Sequence, residues 1–354
     1  MQTLGDVVTV RHGRFRIEKG HDPSVRIQDF VLKCVAFVGE VTHRDATGVS
    51  GDLLATGFFV SVPCEDAKMQ AQGACAVYFV TAKHVATDLA GRDAYFLVND
   101  LRGGTTTFDR IMGDRWWFHP TDSTADVAVG QVWPHRTADI ISVSLVQLAG
   151  PEMLKGLDIG IGDEIYVTGL FTPAPGTARN IPIVRHGNIA MMPTEQIQTE
   201  LGYADVYLVE ARSLGGISGS PVFVRPTIDF KISDRKGRPR DAFAAGLGFP
   251  LLGLMHGHWD IRESEINKAF FDQDRKRGVN LGIGIVVPAI KILETINQEE
   301  LVAIRREGER LATRKMTPGT DSVKSKERTS PFTKQEFETA LKKASRKVVS
   351  RKGE

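Results

Sequence analysis

Short runs of β-branched and aromatic residues, bounded by turn-forming residues, recur along this chain. They fall at Val31–Val41, Ala55–Val62, Ala76–Thr81, Ala94–Val98, Thr105–Ile111, Asp163–Gly169, Ile181–Ala190, Asp205–Ala211, Gly246–His256 and Leu281–Val287. Such runs predict strands. Gly48–Asp52 reads as a turn, and Pro63–Gly73 and Pro151–Gly162 as loops. Arg225–Arg240 and Trp259–Asn280 are polar insertions, the second with a helical character. A helical period emerges only after Pro288, whose fixed φ suits a first turn, with Leu293, Ile296, Leu301 and Ile304 in an apolar stripe. Met316–Phe332 is rich in Ser, Thr, Lys and Pro and predicts a linker. Thr333–Glu336 then fits a capping box, with Phe332 and Phe337 as a hydrophobic staple, opening a short helix that runs to around Val348.

Many short strands and few helices predict an all-β body. Its length, about 260 residues, exceeds one small barrel and predicts two packed barrels. The expected organisation is an N-terminal arm over residues 1–29, with one strand at Val7–Val10, and a first barrel over 30–150. A second barrel over 151–287, a helix over 288–313 and a basic linker with a short helix over 314–354 follow.

The 354 residues are 42% hydrophobic and 25% charged, as in an ordinary soluble globular protein. No apolar run approaches the roughly 20 residues of a membrane span. The opening MQTLGDVVTVRHGRFRIEKG lacks the basic and then apolar regions of a secretory leader. Three cysteines, Cys34, Cys64 and Cys75, do not make a disulfide framework. Cys64 and Cys75 could bridge a loop, but the favoured reading is free thiols in a reducing compartment, hence the cytoplasm. The net charge of +2 is uneven: from Arg314 to Glu354 there are 12 Lys and Arg against 5 Asp and Glu, and the body is mildly acidic. A basic tail suits an acidic partner, or is simply a solvated appendage. It lacks the aromatic–basic interleaving of a nucleic-acid surface, which argues against that partner.

Candidate chemistry centres on Glu210–Val224, EARSLGGISGSPVFV. Ser218 sits among glycines directly before a β-prone run. Such a turn can expose a hydroxyl while aiming backbone N–H groups at one point, which acyl transfer requires. It can equally be a plain hairpin turn. His84 lies just past the strand Ala76–Thr81, where a sheet can hold a side chain over a cleft, or where a histidine is merely a surface or capping residue. Asp126 stands at the mouth of Val127–Val129, either as a buried carboxylate in need of a partner or as an Asx-type turn residue. Together the three offer a nucleophile, a base of suitable pKa and a carboxylate to fix the tautomer of that base.

On these residues the chain resembles the chymotrypsin-fold, trypsin-like serine peptidases of bacterial type. The likeness covers roughly residues 30–290. It rests on Thr56–Val60 as the strand before the histidine strand, Val80–Val85 as the TAxH motif and Asp126–Val129 as the aspartate motif. Gly216–Pro221 matches the GxSGxP motif, and Leu281–Pro288 looks like the closing strand. The resemblance implies two perpendicular six-stranded β-barrels with a cleft between them. It implies Ser218 as nucleophile, His84 as general acid and base, and Asp126 as the orienting carboxylate. The N–H groups of Gly216 and Ser218 would form an oxyanion hole. It implies a polypeptide substrate and no metal or organic cofactor. Ile217 replaces the aspartate that many digestive members carry before the serine, and the paired cysteines of secreted members are missing.

Two alternatives stand beside an active endopeptidase. One is a catalytically silent peptide-binding protein of the same fold; the other is a module that docks to an acidic partner through its tail. For specificity, the resemblance points to Arg212–Leu214 and Met255–Trp259 as the wall of the pocket. Arg212, with His256 and His258, would then favour an acidic residue before the scissile bond. If Arg212 instead points outward to Glu210 or solvent, Leu214 and Met255 would favour a small apolar one.

Overall fold

The computed structural model describes residues 6–11, 14–19, 27–45, 48–108, 115–211, 216–225, 231–233, 239–241, 248–261 and 279–316. Strands β1 (Asp6–Arg11) and β2 (Arg14–Lys19) form a separate antiparallel ribbon, which contains the expected Val7–Val10 strand. The first half of the body then runs through helix α1 (Asp29–Lys33), β3 (Val35–Asp45), β4 (Gly48–Pro63), α2 (Ala67–Ala71), β5 (Cys75–Thr81) and α3 (Lys83–Asp88). It continues through β6 (Ala94–Asn99), β7 (Thr105–Phe108), β8 (Trp117–Phe118), β9 (Ala128–Val132) and β10 (Val143–Ser144). These strands make one eight-stranded sheet in the order β7-β6-β3-β4-β5-β9-β8, with β10 parallel to β4.

The second half runs through α4 (Pro151–Gly156), β11 (Glu164–Gly169), β12 (Ile183–Met191), β13 (Ile197–Thr199), β14 (Gly202–Ala204) and β15 (Tyr207–Glu210). It continues through β16 (Pro221–Arg225), β17 (Lys231–Ser233), β18 (Pro239–Asp241), β19 (Leu251–Ile261) and β20 (Val279–Pro288). Six of these close a barrel in the order β11-β12-β15-β20-β19-β16, while β13–β14 and β17–β18 are short hairpins beside it. The body is all-β with a helical C-terminal part, as expected. The six-stranded closure expected of both halves is found, among the described residues, in the second half, whereas β7 and β8 end the first-half sheet unpaired with each other.

Several boundaries differ from the pattern-based reading. The run Val31–Val41 begins as a helical turn: Phe30, Val31 and Cys34 are buried together, Cys34 donates its N–H to the Phe30 carbonyl, and β3 starts only at Val35. Gly48–Asp52 is strand, since β3 and β4 pair as far as Asp45 and Gly48. Asp66 caps α2 by accepting from the Lys68 and Met69 N–H groups, inside what reads as a loop. Pro151 sits in the first turn of α4, also read as a loop. Trp259–Ile261 and Val279–Asn280 extend β19 and β20, and the middle of that insertion, like the linker and last helix after Met316, lies outside the described residues.

One core runs through both halves. Phe58, Phe59, Phe79 and Phe96 of the first sheet share a buried cluster with Tyr166, Phe223, Leu251 and Val287 of the barrel. Phe30 meets Phe223 edge to face at 5.4 Å. Pro288 ends β20 and precedes α5 (Ala289–Ile296); α6 (Glu299–Met316) follows Asn297, so two helices stand where one was expected. Ile292, Ile296, Leu301 and Ile304 of these helices are all 0% exposed in the core shared by both halves, and Leu293, expected in the stripe, packs against it partly buried. Arg305 lies over the Tyr78 ring and donates to its hydroxyl at 3.0 Å, and Glu309 accepts from the Glu65 and Asp66 N–H groups. The C-terminal helices are therefore part of the core.

Replacing Ile304 by Ala should cost about 2–4 kcal/mol, the loss for opening a cavity in a packed core. Val146→Ala, at a side chain 63% exposed, should change stability by no more than about 0.5 kcal/mol. Equal effects of the two in urea unfolding would show that α6 is not core.

Candidate active site

The first half supplies His84 and Asp126. Strand β5 ends at Thr81, and the chain turns at Ala82 into α3, which puts His84 in its first turn. Asp126 lies in the loop that enters β9, the neighbour of β5. Its side chain is 1% exposed, so its charge must be met by donors. His84 meets it twice: the backbone N–H donates to Asp126 Oδ1 at 2.9 Å, and ring Nδ1 lies 2.8 Å from Oδ2. Since the carboxylate only accepts, the His84 ring carries its proton on Nδ1, and Nε2 keeps its lone pair.

The second half supplies the serine turn. Gly216 (φ +96°) and Gly219 (φ +80°) both sit in the left-handed region. A Cβ on Gly219 would fall 2.2 Å from the Thr56 carbonyl oxygen, so the turn and β4 approach too closely for any other residue. Ser218, half-buried, lies between them and donates its hydroxyl to the His256 carbonyl at 3.1 Å. A hydroxyl has one proton to give, so in this conformation it is not given to His84.

Thr56 of β4 ties the pieces together. Its N–H donates to the Ser218 carbonyl at 3.0 Å, and its hydroxyl donates to the Gly216 carbonyl at 2.8 Å and accepts from Leu170 N–H at 2.9 Å. Its own carbonyl accepts from the Thr81 hydroxyl at 2.8 Å, at the end of the histidine strand. With the Gly216 and Ser218 carbonyls both engaged by β4, the turn is held at two points. Thr56 was visible in the sequence only as part of a strand motif; a lone threonine beside glycine in an apolar strand was the available signal.

The remaining candidates scatter. Arg212 and Leu214 lie outside the described residues. His258 occupies a β19 position opposite Gly284, and its side chain is outside the described set. Met255 does not line a cleft: it is 0% exposed and packs inside the barrel with Val209, Ile217 and Val286. His256 was expected in the pocket wall, but its ring turns to Asp126, with Nδ1 2.5 Å from the same Oδ2 that His84 uses. The cause is a β-bulge. Met255 pairs with Val286 and Gly257 with Ile285, which leaves His256 as the extra residue, and a bulge re-aims such a side chain.

Burial works to lower the His84 pKa, but the hydrogen bond and charge of Asp126, with Asp88 adding, outweigh it, so the net shift is upward. Burial alone would raise the Asp126 carboxyl; the hydrogen bonds from His256 and His84 and their charges reverse this and hold it far below the usual carboxylate range. His84, Asp126 and His256 are also the described residues whose ligand atoms, all within 4.8 Å of one another, could surround a cation. Their nitrogen–oxygen separations of 2.8 and 2.5 Å are hydrogen-bond lengths, shorter than the roughly 3.3 Å between two ligands of a tetrahedral zinc, so an ion would have to push them apart. The cysteines offer no competing nucleophile: all three are free, and burial is the main cause pushing the Cys64 and Cys75 thiols up to about 12.

Among the described residues no helix is long and apolar enough to cross a membrane. No family model and no curated protein matches the chain. Among solved structures it is similar to the MamO protease domain from Magnetospirillum magneticum, in its apo form, at 14% sequence identity and a TM-score of 0.43, over 76% of this chain and 98% of that one.

Proposed function

We propose that the chain is a serine hydrolase that cleaves polypeptides through an acyl-enzyme. The observation that carries this reading is the buried Asp126 carboxylate gripping His84 by both its backbone and its ring N–H, on the sheet that also anchors the Ser218 turn. In the reaction the Ser218 hydroxyl swings from the His256 carbonyl to His84 Nε2. Its oxygen attacks the substrate carbonyl carbon as the proton passes to Nε2. The carbonyl oxygen becomes an oxyanion facing the Gly216 and Ser218 N–H groups. Collapse expels the amine, which takes the proton from His84, and leaves an ester on Ser218. Water, deprotonated by His84, then hydrolyses that ester. Throughout, Asp126 keeps the proton on Nδ1 and stabilises the imidazolium.

A second reading, a silent peptide-binding protein, is favoured by one observation: the Ser218 hydroxyl donates to the His256 carbonyl. Labelling by a fluorophosphonate separates the two, since only an activated serine reacts. Labelling at Ser218, lost in Ser218→Ala together with thousands-fold or more of any peptidase activity, supports the hydrolase. Ser220→Ala should still label, because Ser220 is 0% exposed and packs beside Gly169. A folded wild-type protein that never labels overturns the reading.

Activity should rise with pH, because His84 must be neutral to accept the serine proton. Asp126 holds the His84 pKa above its ordinary value, so the acid limb of kcat/KM should have its midpoint above about 6.5. Asp126→Asn should lower kcat by roughly 10⁴-fold while the protein stays folded. A limb centred well below 6.5 would remove His84 as the base.

Thr56→Val keeps the shape of the side chain but removes the donor to Gly216 and the acceptor for Leu170. It should cost about 1–3 kcal/mol of stability, measured by urea unfolding, and reduce fluorophosphonate labelling more than substrate affinity. Unchanged labelling would mean that the turn is held without Thr56.

A further inference from the structure

Two imidazoles converge on one oxygen of Asp126. His84 arrives from the first half, His256 from the barrel, and their rings meet edge to face at 5.3 Å and 88°. The oxygen can only accept, so each ring must donate through Nδ1, and both rings are fixed in the same tautomer. His256 also reaches the serine through its main chain, since its carbonyl accepts the Ser218 hydroxyl. The position is rigid. Met255, one residue earlier, accepts from Gly219 N–H and donates to the Ser220 carbonyl, both at 2.8 Å, and the bulge leaves His256 unpaired with β20. One residue therefore touches the carboxylate with its ring and the serine with its backbone.

We infer that His256 is a positioning residue: its ring shares the Asp126 oxygen with His84 and so fixes the carboxylate, while its carbonyl holds the Ser218 hydroxyl at rest. This deepens, and rests on, the hydrolase reading. A carboxylate with a third donor cannot swing away from His84 without abandoning His256 in a buried setting. Its charge is also divided, so His84 receives less of it than it would alone. The charged groups acting on His84 are Asp126 and, from α3, Asp88, and those acting on Asp126 are His84 and His256. Side-chain replacements at 256 remove the ring contact but keep the carbonyl, so the two arms separate experimentally.

The test combines histidine-ring NMR with kinetics on the full chain. In the wild-type protein, long-range proton–nitrogen spectra should give the Nδ1–H tautomer for both neutral His84 and neutral His256. A His256 ring protonated on Nε2 alone overturns the proposal without any variant. In His256→Ala the His84 titration midpoint should move up by about half a unit to one unit, the worth of one neutral hydrogen bond. There kcat should fall about ten- to a hundredfold with KM within about twofold, the mark of lost orientation. Asn presents an N–H near the place of Nδ1, so His256→Asn should recover most of both changes, and His256→Gln, whose amide nitrogen lies one bond further out, should not. An Ala variant with an unmoved midpoint and kcat, or an Asn variant no better than Ala, overturns the proposal. The titration does not depend on turnover. Absent labelling of the wild-type protein combined with a shifted His84 midpoint in the Ala variant would sink the hydrolase reading and retain His256 as the residue that sets His84.

Discussion

A carboxylate that is 1% exposed can keep its charge only if hydrogen-bond donors replace the water it has lost. Asp126 receives three: the His84 N–H, the His84 ring and the His256 ring. The first two come from its own half and the third from the barrel. Satisfying this one charge therefore fixes how β5, the loop into β9 and the bulge in β19 stand to one another. Removing either ring would leave an under-satisfied buried charge, which costs more than the lost bond itself. The pair His84 and His256 is in this sense a consequence of burying Asp126, whatever chemistry the site performs.

The same junction is held from two other sides. Thr56 connects β4 to the serine turn, to the end of β11 and to the end of β5 through four hydrogen bonds, so the turn cannot shift relative to the histidine strand without breaking several at once. Behind β5, Arg305 of α6 bonds Tyr78, three residues before Thr81. Helix α6 thus braces the strand that delivers His84. The barrel joins the arrangement through the shared core of Tyr166, Phe223, Leu251 and Val287. A site assembled from two halves is only as exact as the packing between them, and here the packing is continuous.

Local features were legible in the sequence. The strand runs, the glycine-flanked Ser218, His84 at a strand end and Asp126 at a strand mouth each depend on a few adjacent residues, and the elements that carry them lie where the pattern predicts. The misread stretches include short helices at Asp29, Ala67 and Pro151, too brief to display a helical period, and Gly48–Asp52, whose glycines suggest a turn but which pairs with β3 as strand. Closure was also hidden. A sheet and a barrel are written with the same alternation, and the difference lies in whether end strands meet, which is a property of register across distant segments.

His256 marks the limit most clearly. Its strand was legible, and the resemblance alone placed it with His258 in a pocket wall. A bulge between Met255 and Gly257 interrupts the regular alternation of β19 there. One extra residue on one strand turns a side chain toward a buried carboxylate 130 positions away. Nothing in the local sequence marks the bulge, because it is set by how β20 pairs opposite and by how Gly219 and Ser220 grip Met255 alongside. A charge that must be satisfied and a strand that must keep two partners together determine where His256 points. The role of a residue can therefore be fixed by requirements that arise elsewhere in the chain.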